Sequence, residues 1–112
     1  MDENQENEVN LLKETCFSNL AACQLKLKQY DRVIINCTKS IELNESNVKC
    51  FYRRACAHLE CRNVSSAKED IDKVLALEPG NSAVKELETK MAKLNKISDE
   101  RDAKMMKSFL GS

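Results

Sequence analysis

From Val9 onward, apolar residues return every three or four positions. The first run, Leu12, Cys16, Leu20, Cys23 and Leu27, predicts a helix ending at a Lys28-Gln29 turn. Tyr30-Asp31 opens a second stripe of Val33, Ile34, Cys37 and Ile41, with Asp31 placed to cap the first turn and an end near Leu43. The polar run Asn44-Glu45-Ser46-Asn47 breaks the chain and offers a cap for a third helix through Phe51, Ala55, His58 and Leu59, which Arg62-Asn63 ends. Val64 to Leu77 predicts a fourth helix, with Ser65 or Ser66 near its cap and Ala67, Ile71, Val74 and Leu75 inward. Glu78-Pro79-Gly80-Asn81 stops it, because proline brings no N–H to the ladder. A fifth segment, Ser82 to about Leu110, sets Val84, Leu87, Met91 and Leu94 on one face. Residues 1–8 carry four acids and nothing apolar after Met1, so they are expected to be disordered or a frayed approach to the first helix.

Composition supports an all-α chain. Charged residues make up 32% of it, while Gly is 2 and Pro is 1, which suits helices and leaves few places to turn. At 112 residues it forms one domain or part of one. Eighteen basic and eighteen acidic residues cancel, so the overall charge gives no reason to expect nucleic acid or a membrane surface as partner. Any electrostatic recognition must be local. The apolar runs are too short for a membrane span and the N-terminus is acidic where a signal peptide is basic, so a cytoplasmic protein is expected. The six cysteines fall inside helical patterns, no C-x-x-C occurs and His58 is the single histidine. Reduced, buried thiols are expected, with no metal and no cofactor. There is no Ser/His/Asp set and no glycine-rich phosphate loop, so nothing points to an enzyme in these residues.

The chain also repeats itself. A shift of 34 residues lays Cys16 on Cys50, Ala21 on Ala55, Leu25 on Leu59, Val33 on Ala67, Lys39 on Lys73 and Leu43 on Leu77. Two helices per 34 residues, with small residues where the helices cross, resembles the tetratricopeptide repeat. An ordinary antiparallel bundle is the competing architecture, but it requires no fixed period. The expected fold is a tetratricopeptide helix-turn-helix solenoid of two repeats plus a C-terminal capping helix. Its divisions are residues 1–8, a first repeat with an extended first helix over 9–47, a second repeat over 48–81, and a cap and tail over 82–112. Val33 is bulkier than its counterpart Ala67, which predicts a looser helix crossing in the first repeat. Three repeats usually make a stable stack, and residues 1–13 cannot supply another helix pair. The expectation is therefore a fragment, a natural truncation or a form completed by a second chain.

First helices of successive repeats line the concave wall of such a solenoid. Asn19, Lys49 and Arg53 occupy the positions that face this groove, and Lys49 and Arg53, four residues apart, project from one helix face. Without that context, two cations at this spacing are a solvated face. On the inner wall they suit a carboxylate, with Arg53 able to make a two-pronged bond. Asn19 in Ser-Asn-Leu-Ala-Ala-Cys, with Lys49 and Arg53 in Asn-Val-Lys-Cys-Phe-Tyr-Arg-Arg, resembles the carboxylate-clamp tetratricopeptide co-chaperones. Asn-Leu-Ala-Ala-Cys-Gln-Leu-Lys-Leu, Lys-Val-Leu-Ala-Leu-Glu-Pro-Gly-Asn and the closing Glu-Arg-Asp followed by Met-Met-Lys-Ser-Phe are most similar to the large immunophilins, peptidyl-prolyl isomerases with a C-terminal tetratricopeptide domain.

That resemblance implies several things. The partner would be the Glu-Glu-Val-Asp tail of heat-shock protein 90 or 70, and any isomerase domain would lie upstream. In the family a preceding repeat adds a Lys and an Asn to the clamp, so three of five clamp positions are present here. Ala22, Leu25 and Lys26, with Tyr52 and Cys56, would form the groove wall, although Ala22 and Leu25 fit plain helix packing equally well. Arg54 reads as a surface charge or a contact to the second helix, and His58 as a packed residue. Met105, Met106, Phe109 and Leu110 form an apolar patch in the tail. With nearby cations it offers calmodulin or a second copy of the chain a docking surface; the preceding face of the first repeat is an alternative site for a homo-oligomer.

Overall fold

A computed structural model gives the structure of residues 2–96. It is built of helices in antiparallel succession: α1 Glu3–Lys26, α2 Tyr30–Leu43, α3 Val48–Glu60, α4 Val64–Leu77 and α5 over residues 84–96. Each helix packs on its sequence neighbour, and α1 also touches α3, as expected of a stack of helical hairpins. Ala21, Ala55 and Ala67 are fully buried at the helix crossings, where a missing side chain lets two backbones approach. Val33 is equally buried at the corresponding place in the first repeat.

The register extends to the backbone. Lys28 and Arg62, 34 residues apart, both take positive φ, 59° and 64°, in the turn between the two helices of a repeat. Side chains rarely adopt this left-handed conformation, and both repeats adopt it at the same place. Asn47 caps α3 by accepting from the Cys50 N–H at 3.1 Å, as the polar break suggested. Its amide and that of Asn44 donate to Glu14, tying α1 to the loop between repeats.

Several expectations need correction. Residues 3–8 are helical rather than disordered. Asp2 accepts from the Gln5 N–H at 2.8 Å while the Gln5 side chain accepts from the Asp2 N–H, a capping box that satisfies exposed donors at the helix start. Glu3 and Glu6 in the first turn add favourable charge at the positive end of the helix dipole. Asp31 and the serines at 65 and 66 make no caps; Gln29 and Asn63 are the N-cap residues of α2 and α4, without side-chain cap bonds. Of the thiols expected to be buried, Cys37 and Cys50 are, Cys56 is half-buried, and Cys16, Cys23 and Cys61 are exposed; all six are free. The apolar stripe of α1 faces away from α2, whereas Ala21 and Gln24 are buried. The patch at Met105 to Leu110 lies outside the described residues.

Core volume is unevenly shared. Phe51, Ala55, Leu59, Ala67, Ile71 and Val74 form the larger cluster, closed by Val84 and Leu87 of α5. Five residues, Ala21, Val33, Cys37, Cys50 and Ala57, form the smaller one between α1, α2 and α3. Thus α5 covers the second repeat as a cap should, with its apolar side inward.

Candidate peptide-binding groove

Helix α3 carries the candidate cations. Lys49 is exposed and Arg53, one turn later, is half-buried. The Arg53 head is held in place: its Nη1 donates to the Ser18 carbonyl at 3.1 Å and to Ser18 Oγ at 3.0 Å. Since Asn19 is the next residue and is exposed, this tether brings Arg53 to the turn of α1 that carries Asn19. Among the described residues neither Lys49 nor Arg53 pairs with a carboxylate. A guanidinium has five N–H donors in a rigid fork, so Arg53 keeps donors for a second acceptor.

Behind Arg53 lies a polar pocket in the core. Cys50 Sγ donates to Ser18 Oγ at 3.5 Å, so Ser18 joins Cys50 to Arg53. Bonding to Cys50, and then burial, raise Cys37 above the ordinary thiol range, so it keeps its proton; bonding from Cys37 lowers Cys50. Ser18 was missed in the sequence because one serine in a helix carries no periodic signal.

The groove-wall candidates separate into two sets. Leu25, Lys26, Tyr52 and Cys56 line one open recess of about 340 Å³, joined by Tyr30 of α2 and by Glu86, Leu87 and Lys90 of α5. Ala22 is half-buried and does not line it. Burial raises the pKa of both Tyr52 and Cys56, leaving them uncharged at neutral pH. The recess therefore has an apolar floor with charges at its rim, and the Lys90–Glu60 ion pair ties α5 to α3 beside it.

Arg54 has another role. It makes a bidentate pair with Asp70 of α4, at 2.9 and 2.7 Å, and donates to Thr38 Oγ1 of α2 at 3.1 Å. It is an inter-repeat staple rather than a groove residue. His58, half-buried, stands 3.8 Å from the same carboxylate. Burial lowers its pKa despite Asp70, which fits a packed neutral ring.

Known proteins place this architecture. No family model matches the chain. It is 45% identical over 67 residues to the peptidyl-prolyl cis-trans isomerase FKBP4 of Bos taurus, a match covering 60% of this chain and 15% of that protein. The chain thus spans a small part of that curated relative's length. Among solved structures, the C-terminal tetratricopeptide-containing domain of a putative FK506-binding protein of Plasmodium falciparum superposes with a TM-score of 0.74 at 25% identity, covering 91% of this chain and 66% of that one. The second tetratricopeptide domain of human RPAP3, solved with the heat-shock protein 70 peptide SGPTIEEVD, gives 0.63 at 33% identity, covering 73% and 66%. With a repeated register, a repeated left-handed turn and these likenesses, the chain is a tetratricopeptide-repeat domain, similar to those of immunophilin-type co-chaperones.

Proposed function

We propose that the chain is the peptide-binding module of an immunophilin-like co-chaperone, gripping the acidic Glu-Glu-Val-Asp tail of heat-shock protein 90 or 70. Asn19, Lys49 and Arg53 are its carboxylate-binding residues. The observation that carries the reading is the Ser18 tether, which fixes a half-buried guanidinium beside Asn19 and one turn from Lys49. A preorganised fork loses little side-chain freedom when a carboxylate arrives. The recess lined by Leu25, Lys26, Tyr52 and Cys56 then receives tail side chains upstream of the terminal acid. Peptide capture of this kind needs no catalytic group, and isomerase activity would belong to another part of a parent protein.

Fluorescence anisotropy with a labelled peptide ending Met-Glu-Glu-Val-Asp tests the proposal. Each charge-assisted contact is worth about 1.5–3 kcal/mol, so Lys49→Ala and Arg53→Ala should each weaken binding by about tenfold or more. Binding unchanged in both variants removes the clamp. A second reading, self-association of the chain, is favoured by one observation: Leu12 and Leu20 of α1 and Leu27 at its C-cap are exposed by 67%, 47% and 67%.

A further inference from the structure

Helix α1 is apolar on the side its own repeat does not use. Taking 100° per residue, Val9, Leu12, Cys16, Leu20 and Cys23 fall within about 40° of one another's midline at Cys16. Ala21 and Gln24, which pack inward, lie on another side. Cys16, Cys23, Leu12 and Leu20 are exposed and Val9 is half-buried. The stripe is symmetric in spacing: Leu12 and Leu20 stand four residues from Cys16, and Val9 and Cys23 stand seven residues from it. Such a pattern maps onto itself when the helix direction is reversed.

Charge is complementary toward the two ends of the stripe. Acids gather at the start of α1, in Asp2, Glu3, Glu6 and Glu8, and Lys26 ends it. Glu8 and Lys26 share one flank of the stripe, each about 80° from Cys16 by helical geometry. In an antiparallel pair Glu8 of one copy stands within a turn of Lys26 of the other, twice per dimer, and opposed helix dipoles add to the attraction. A parallel pair would instead set Glu8 beside Glu6 of the other copy, which lies on the opposite flank at nearly the same height.

We infer that α1 is a homodimer interface in which two copies pair antiparallel about a dyad at Cys16. This rests on the self-association reading and adds its geometry. Leu12 then packs on Leu20 of the second copy, Val9 on Cys23, and the two Cys16 thiols meet at the axis. One helix face is a small interface, so the pair is weak and concentration-dependent.

Sedimentation of the full chain under reducing conditions, combined with disulfide trapping, tests this. The average mass should rise with concentration, and Leu20→Glu should hold the chain monomeric while its far-UV circular dichroism is unchanged, since Leu20 is exposed. With oxidised glutathione accepting the two electrons and two protons of each new bond, a C23S/C61S chain keeping Cys16 should form dimers at least tenfold faster than chains keeping Cys23 or Cys61 alone. Glu8→Lys should weaken the dimer, and adding Lys26→Glu should restore it. Trapping through Cys23 as fast as through Cys16, or a dimer that survives Leu20→Glu, overturns the antiparallel arrangement while leaving self-association standing. A monomer at every concentration overturns both.

Discussion

The two repeats solve one packing problem in different ways. In the first, Gln24 of α1 and Asn36 of α2 are buried and joined by a 2.8 Å amide hydrogen bond. Thirty-four residues later the same two places hold His58 and Asp70, and Leu20 is matched by Arg54. The second repeat thus buries a carboxylate and brings a guanidinium to neutralise it. A neutral pair needs one well-made bond; a buried charge needs a partner, and Arg54 supplies this while also reaching Thr38 of the first repeat. The register fixes where polar atoms enter the core, and charge decides whether they bind the repeats together.

The largest effect expected on this comparison is from Arg54→Ala. Asp70 is 3% exposed, and leaving its carboxylate unpaired should cost about 3 kcal/mol in chemical denaturation. Transplanting the first repeat's solution, with Arg54→Leu, His58→Gln and Asp70→Asn together, should recover most of that loss. A triple variant as unstable as Arg54→Ala would break the equivalence of the two places. Next in size, Asn36→Ala strands the Gln24 carbonyl in the core and should cost about 1–2 kcal/mol in the same assay.

Proton linkage sharpens the contrast further. Burial lowers the His58 pKa below its ordinary 6.5, so the unfolded chain binds this proton more readily than the folded one. Its contribution is complete above about pH 6.5 and is lost as the pH falls below that value, with a slope of at most about 1.4 kcal/mol per pH unit. Denaturation between pH 7.5 and 5.5 should show that slope, and His58→Gln should remove it. An unchanged profile in His58→Gln would assign the pH dependence to other groups.

The smallest effect should be shared by both repeats. Lys28 and Arg62 occupy left-handed turns, where glycine avoids the Cβ clash but gives up unfolded-state entropy. Lys28→Gly and Arg62→Gly should each raise stability by roughly 0.5 kcal/mol in thermal denaturation. Unequal effects would show that the two turns are not strained alike.

Much of the fold was legible because its causes are local and periodic. The stripes of α2 and α4 and the Pro79 stop located those helices, and the 34-residue shift related them. The capping box of Asp2 and Gln5 was also readable, but the density of acids around it suggested disorder. Other features depend on what lies across the interface. On α1 the obvious leucines are exposed, while alanine and glutamine are buried, because inward packing selected small size and an Asn36 partner over hydrophobicity. At the candidate site, helical spacing identified Lys49 and Arg53 as a pair. It gave no sign of the Ser18 tether, a contact between helices 35 residues apart in the chain.

The carboxylate clamp is tested most directly by amide chemical shifts of the isotope-labelled chain, titrated with a Met-Glu-Glu-Val-Asp peptide as its free acid and as its C-terminal amide. Perturbations at Ser18, Asn19, Lys49 and Arg53 with the acid, largely lost with the amide, are the predicted result. Equal shifts with both peptides, or shifts confined to other surfaces, would contradict it.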